Sequence, residues 1–222
     1  MKKLAHNIYS YFSLVGKKLD SMAGYKVGDF VRKLTNVNTQ KYWDRCFAVH
    51  GYFYRYFPYE NIADFLPKDV PFSLLDIGCA LGDGCEFLQK RFPSAQICGA
   101  DFSCVSIQKA GKKSDKICYF LFDITKDELK SNYDYIVLSH ILEHINDPLV
   151  VVEKCLRHVK KALLISTPYV QDFKYPRLYA PAEHRYLFNE DTFKKYNCTV
   201  LKITDLIEAV GTKHIMYKIT PP

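Results

Sequence analysis

The residues best equipped for chemistry stand in short runs, each placed where an apolar stretch ends. The first is Leu74-Leu75-Asp76-Ile77-Gly78-Cys79-Ala80-Leu81-Gly82-Asp83-Gly84. Its glycines at 78 and 82 let a backbone turn tightly and approach a ligand with no Cβ in the way, and Asp76 can offer an acceptor to a cationic amine. Asp101 closes the next apolar run, 25 residues after Asp76, where a carboxylate can accept both hydroxyl protons of a ribose. Asp123 follows the third run, between apolar Phe122 and Ile124 that could flank an adenine ring. Three acids at three successive strand ends would face one crevice.

Histidines supply a second kind of chemistry. His140 follows the fourth apolar run, Glu143 and His144 come within one helical turn of it, and His184-Arg185 lies in a long irregular stretch. Histidine is the side chain best poised to take a proton near neutral pH, and a loop histidine beside an arginine can meet an anionic group.

These groups need elements to position them. Residues 73–77, 96–100, 116–121, 133–138 and 162–166 are short and apolar, the pattern of strands buried on both faces of a parallel sheet. Helix signals lie between them: Asp83 and Ser103 as caps, and Asp147-Pro148 as a capping carboxylate before a proline at the first helical position. Alternation of this kind predicts an α/β fold with helices on both faces and a ligand crevice at the carboxyl ends of the strands. The tail differs, with β-rich runs at 199–203 and 214–219 joined by a short helical stretch and Gly211. It is expected to close the sheet with an antiparallel edge strand. The expectation is a doubly wound, mostly parallel, seven-stranded sheet over residues 72–222, preceded by a helical cap over residues 1–71. Residues 167–189, interrupted by Pro168, Pro176 and Pro181, leave the fifth strand as a loop that should overhang the crevice.

Composition narrows the function classes. The 222 residues carry 48% hydrophobic and 25% charged side chains, which excludes a disordered or low-complexity chain. The net charge of +7 is concentrated at the front: residues 1–45 hold nine bases against three acids, leaving 22 and 21 for the rest. A basic leader can attract phosphates, acidic sugars, nucleic acid or a membrane surface, or form a solvated helical face. Eight cysteines without a C-x-x-C pair, with Cys79, Cys98 and Cys118 in or beside apolar runs, suit reduced core residues rather than a disulfide frame or zinc site. His6, Asn7 and Ser10 interrupt the apolar part of the start and no run approaches 18 apolar residues, so a cytoplasmic location without a transmembrane segment is expected.

With these motifs in view, the chain resembles the class I, Rossmann-like S-adenosylmethionine-dependent methyltransferases, in particular the bacterial group related to the type 11 and ubiquinone-biosynthesis enzymes. The likeness covers roughly residues 72–205. It rests on the glycine motif at 75–84, Asp101, Asp123, and Ser139-His140-Ile141-Leu142-Glu143-His144-Ile145-Asn146-Asp147-Pro148; one departure is Ala80, where the family usually carries glycine. The resemblance implies that Asp76 and the backbone of Gly78, Cys79, Ala80 and Gly82 hold the methionine moiety. It assigns the ribose to Asp101, with Phe102 beside it, and the adenine to Asp123 with Ile124; Ser139 and His140 line the methyl-donor end. It also implies that Tyr42-Trp43 folds over the cofactor and that the segment holding His184, Arg185 and Tyr186 borders the acceptor, as does Tyr169.

A nicotinamide-dependent oxidoreductase competes for the glycine turn, but a dinucleotide fingerprint needs a small residue where Asp83 stands. Methylation of a nucleobase amine is disfavoured because Ser139-His140-Ile141-Leu142 is not an Asn/Asp-Pro-Pro-aromatic motif, and no nucleic-acid module is evident. A metal-dependent mechanism would need a carboxylate cluster that the sequence does not place, so no metal is expected. The reading is O-methylation of a small polar or anionic metabolite, such as a phosphate-bearing or nucleotide-linked precursor of a surface glycan. His140, His144 and His184 are the candidate bases. A catalytically silent cofactor-binding scaffold is the alternative.

Overall fold

In a computed structural model of the chain, the residues described are 38–49, 57–169, 184–207 and 212–222. Most of the expected cap, including its bases Lys17, Lys18, Arg32 and Lys33, lies outside them, as do residues 170–183 of the expected loop.

Two helices precede the sheet, α1 (Gln40–Val49) and α2 (Phe57–Ala63); β1 (Ser73–Ile77), α3 (Asp83–Arg91), β2 (Gln96–Asp101), α4 (Cys104–Gly111) and β3 (Cys118–Leu121) follow. Then come β4 (Tyr133–Ser139), a single 3₁₀ turn (Leu142–His144), α5 (Pro148–Leu156), β5 (Val159–Tyr169), β6 (Cys198–Ile207) and β7 (Thr212–Ile219). The strands form one seven-stranded sheet in the order β3-β2-β1-β4-β5-β7-β6. Strands β1 to β5 pair in parallel, and β7 is antiparallel to both β5 and β6.

The sheet separates two apolar layers because strand side chains alternate. Leu75 and Ile77 of β1 join Ile136 and Leu138 of β4 and Val151, Val152 and Cys155 of α5 on one face. Leu74 points the other way, with Val137, Cys85 and Leu88 of α3, and Ile62 and Ala63 of α2. Leu74, Leu75, Leu88 and Leu138 are wholly buried, each side chain contributing roughly 1.5–3 kcal/mol of transfer free energy. Helix α2 therefore shares the sheet's own core.

Several expectations are refined. The segment between the two tail runs is not helical at its start, since β6 continues to Ile207. The antiparallel strand, β7, sits one place in from the edge and leaves β6 outermost, parallel to β5 through two reversals. Strand β5 runs to Tyr169, so Thr167 and Pro168 belong to the sheet rather than the loop. Gly82 occupies the cap position of α3 with a left-handed backbone, and Asp83, its first helical residue, instead pairs with Lys113 of the segment after α4. Ser103 does cap α4, accepting from Ser106 N–H, whereas Asp147 makes no side-chain cap bond before Pro148. All eight cysteines are free thiols, but Cys118 is exposed rather than part of the core.

Candidate active site

The first two strand ends build one half of the site. The chain leaves β1 through Gly78 and Gly82, both at φ 79°, a conformation that costs an L-residue about 1–2 kcal/mol. Space matters as well as backbone: a Cβ on Gly78 would lie 2.1 Å from Ile141 Cγ2, and one on Gly82 would lie 2.5 Å from the Tyr119 hydroxyl. The glycines thus let the loop pack against the turn after β4 on one side and against β3 on the other. Ala80 also has positive φ, 49°, and its N–H donates to Asp101 Oδ2 at 2.9 Å. Asp101 Oδ1 accepts from Ser103 N–H at 2.8 Å. One buried carboxylate therefore ties the glycine turn to the start of α4. Burial pushes the Asp101 pKa up, and the bonds from Ser103 and Ala80 partly offset this.

Asp76 lies beneath the turn, fully buried. Its Oδ2 accepts from the Tyr59 hydroxyl at 2.9 Å and from the Cys85 thiol at 3.3 Å, while Oδ1 is buried with no hydrogen-bond partner. Desolvation raises its pKa to about 7 against the lowering effect of those donors. Tyr59, which sequence reasoning missed, comes from α2 and packs over Gly84, where an added Cβ would sit 2.1 Å from its ring. Cys79 is buried beside it.

Asp123 starts the turn after β3, where Thr125 and Lys126 donate to its carboxylate. Partial burial works to raise its pKa, but those donors hold it below the ordinary carboxylate range. Lys154 of α5 fixes this turn by donating to the carbonyls of Ile124 and Asp127 at 3.0 and 2.7 Å. Ile124 is buried and Phe102 half-buried.

The histidines meet at the end of β4. Ser139 is the strand's last residue, and His140 turns out of it with φ 56°, a strained conformation of the kind that clusters at functional sites. His140 Nδ1 lies 3.2 Å from Glu143 Oε1. Glu143 is 2% exposed. Burial alone would raise its pKa, but the contact with His140 and the nearby rings of His144 and His184 hold it down to about 2. The backbone N–H groups of Arg185 and Tyr186 both donate to the Glu143 carbonyl, bringing His184 to a ring-centroid distance of 5.3 Å from His144. His144 also meets the Trp43 ring at 5.2 Å, and Trp43 meets Tyr42 at 5.4 Å.

Helix α1 is also fastened to α4, where Asp44, next to Trp43, accepts from the Ser103 hydroxyl. It thereby links α4 to the turn after β4, across the carboxyl ends of the strands. His140, His144, His184, Arg185 and the Tyr42-Trp43 pair are thus brought together around one side. Tyr169, at the end of β5, donates its hydroxyl to Glu190 and forms a backbone bridge with Phe188.

Two residues missed from the sequence complete this side. Glu143 stood only as a neighbour of the histidines, although a carboxylate three residues from a histidine signals an oriented imidazole. His214 faces His140 ring to ring at 4.3 Å. It was legible only as the head of a tail strand, and a strand that runs antiparallel to β5 begins at the crevice. Glu143, His144 and His184 offer a carboxylate oxygen and two ring nitrogens within 4.8 Å of one another. A carboxylate thus does stand among candidate ligands, where the sequence placed no cluster. The same carboxylate also contacts His140 Nδ1.

Parallel strands β1 to β5 with β7 inserted antiparallel beside β5, a glycine turn after β1, and acids closing β2 and β3 together define the class I methyltransferase fold. The chain belongs to the methyltransferase-domain family, whose model matches residues 49–200. A malonyl-[acyl-carrier protein] O-methyltransferase of Priestia megaterium is 31% identical over 99 residues, 43% of this chain and 36% of that protein. A trans-aconitate 2-methyltransferase of Azoarcus is 22% identical over 120 residues, 54% of this chain and 45% of that protein. The matched stretches thus span less than half the length of these curated relatives. Among solved structures, the plantazolicin methyltransferase BpumL, in complex with a triazolic desmethylPZN analogue and SAH, superposes with a TM-score of 0.56 at 16% identity. That match covers 97% of this chain and 99% of that one.

The site fits S-adenosylmethionine on its own chemistry. The glycine turn leaves the carboxyl end of β1, Asp101 stands at the end of β2, and Asp76 keeps an unpartnered oxygen beneath the turn. No helix among the described residues is long and apolar enough to cross a membrane.

Proposed function

We propose that the protein moves the methyl group of S-adenosylmethionine to an oxygen of a small polar or anionic acceptor, with His140 as general base and Glu143 as the group that orients it. The observation carrying this reading is the 3.2 Å contact between His140 Nδ1 and buried Glu143, at a left-handed turn directly after β4. A buried carboxylate on one ring nitrogen sets the tautomer and leaves the other nitrogen to accept a proton. The cofactor supplies an activated methyl group, so much of the acceleration comes from holding the acceptor in line. Helix α1 acts as a cap beside the acceptor, with Tyr42 and Trp43 at the crevice, and His184 and Arg185 border the acceptor's polar or anionic part.

Two relatives support an oxygen acceptor with acidic character: one is named for O-methylation of a malonyl group and another for trans-aconitate. Eight free thiols suit a reducing, cytoplasmic setting. The test is transfer of labelled methyl from S-adenosylmethionine to a panel of dicarboxylates, hydroxy acids, malonyl thioesters and phosphorylated or nucleotide-linked sugars, together with a small-molecule cell extract. Wild type should label a discrete acceptor, and His140→Ala should lose about 10²-fold or more of the rate while still binding S-adenosylhomocysteine. Tight binding of S-adenosylhomocysteine with no labelled product from any fraction would leave the scaffold reading in its place.

A further inference from the structure

His214 is a buried polar group that the fold alone does not explain. The ring heads β7, opposite Pro168 of β5, and is 2% exposed. Neither ring nitrogen has a hydrogen-bond partner. Most buried polar side chains are satisfied, and leaving a donor and an acceptor both unmade is unfavourable enough that each such case calls for a reason. The surroundings point to one. His214 packs edge to face on His140, the proposed base. Ser166 of β5, whose carbonyl accepts from His140 N–H at 2.8 Å, is also fully buried with its hydroxyl unpartnered. Ser166 pairs with Met216 and Pro168 with His214, so by strand alternation Ser166 and His214 project from the same face of the sheet. Three adjacent strands thus set a base, a hydroxyl and an unsatisfied imidazole at one spot.

We propose that His214, with Ser166, binds an uncharged hydroxyl of the acceptor, and that this hydroxyl receives the methyl group. The inference rests on the methyltransferase reading above and narrows it. A carboxylate acceptor already carries its negative charge and needs no base, whereas this site invests a buried Glu143–His140 pair in removing a proton. A carboxylate brought to His140 would also approach the buried anion of Glu143. The His214 imidazole is held neutral by burial beside His140, its pKa lowered to about 3. It can therefore donate to or accept from a hydroxyl but cannot neutralise an anion. In the transfer, the acceptor's O–H proton passes to His140 and a new O–C bond forms. The S–C bond of the donor breaks with its electron pair remaining on sulfur, giving a methyl ether and a neutral thioether. Anionic groups elsewhere on the acceptor fall to the His184–Arg185 side.

Two measurements test this. First, thermal unfolding of the full chain compares wild type with His214→Phe, which keeps ring volume and removes both nitrogens. Because neither nitrogen is satisfied, the melting temperature should hold or rise, and a fall of more than about 5 °C would make the ring a structural element and overturn the proposal. Second, labelled S-adenosylmethionine is incubated with a small-molecule cell extract, and the product is treated with mild alkali, which releases methanol from methyl esters and leaves ethers intact. The label should survive alkali. His214→Phe should lower the rate about 10-fold or more with S-adenosylhomocysteine affinity unchanged, and His214→Gln, which keeps a donor and an acceptor, should restore part of it. Alkali-labile label, or a His214→Phe rate equal to wild type, would refute the inference while leaving methyl transfer standing. No label from the wild type would instead refute the methyltransferase reading on which it rests.

Discussion

Gly78 offers the sharpest test of how the cofactor loop and the catalytic turn are fitted together. In Gly78→Ala the new Cβ meets two separate obstacles. The backbone φ of 79° is left-handed, costing about 1–2 kcal/mol for an L-residue. The Cβ would also stand 2.1 Å from Ile141 Cγ2, against 3.4–4 Å for an ordinary contact, so the turn carrying His140 must move by more than an ångström. Overpacking of that kind costs about 1–3 kcal/mol. Alanine recovers about 0.4–1 kcal/mol by restricting the unfolded chain, leaving a net loss of about 2–4 kcal/mol. Urea unfolding of the four proteins in a cycle with Ile141→Ala separates the two effects, because alanine at 141 removes Cγ2 and leaves the φ penalty. Gly78→Ala should then cost only about 1 kcal/mol, a coupling of about 1–3 kcal/mol between residues 63 positions apart. Because a displaced turn carries His140 with it, methyl transfer should fall in Gly78→Ala and recover in part in the double variant. A loss below about 0.5 kcal/mol, or equal losses in both backgrounds, would refute the packing described.

Three further outcomes follow from the same geometry. Asp76 has its folded pKa raised from 3.8 to about 7, so between those values the folded state holds a proton that the unfolded state has lost. Stability should therefore fall as pH rises from about 4 to about 7, and Asp76→Asn should flatten that descent in urea titrations at pH 5 and 8; an unchanged slope would count against the assignment. Ala80→Gly relieves a left-handed alanine at φ 49° but frees the unfolded chain, so it should be neutral to about 1 kcal/mol more stable, whereas Ala80→Val should lose about 2 kcal/mol or more, both read from urea midpoints. Ser103→Ala removes the α4 cap and the hydroxyl held by Asp44. It should cost about 1–2 kcal/mol and speed proteolytic cleavage within α1, and cleavage at the wild-type rate would mean that Asp44 does not anchor the helix.

The strands were legible because their chemistry is local. Residues 73–77, Ser-Leu-Leu-Asp-Ile, form a short, mostly apolar run followed by a glycine, and β1 occupies those same residues. The ends of β2 and β5 extend past the apolar runs, to Asp101 and Tyr169, because main-chain pairing with a neighbour continues beyond the hydrophobic signal. The helix-like appearance of the tail after residue 203 gave way for the same reason: pairing with β7 carries β6 to Ile207. Asp83 looked like a cap by type, but a left-handed glycine at 82 takes the cap position and moves Asp83 into the helix.

From the sequence alone came the order of elements, the glycine turn, the acids at the strand ends and the histidines after β4, all set by residue type and short spacing. Tertiary structure decided which of these touch. Asp76 is held by Tyr59 from a helix that precedes the sheet, and Asp101 by the N–H groups of Ala80 and Ser103. His140 meets Glu143 from its own turn and His214 from the far end of the chain. That last pairing exists because β7 runs antiparallel into the sheet beside β5, and a strand's direction follows from which neighbour satisfies its backbone, a choice made by the folded sheet as a whole.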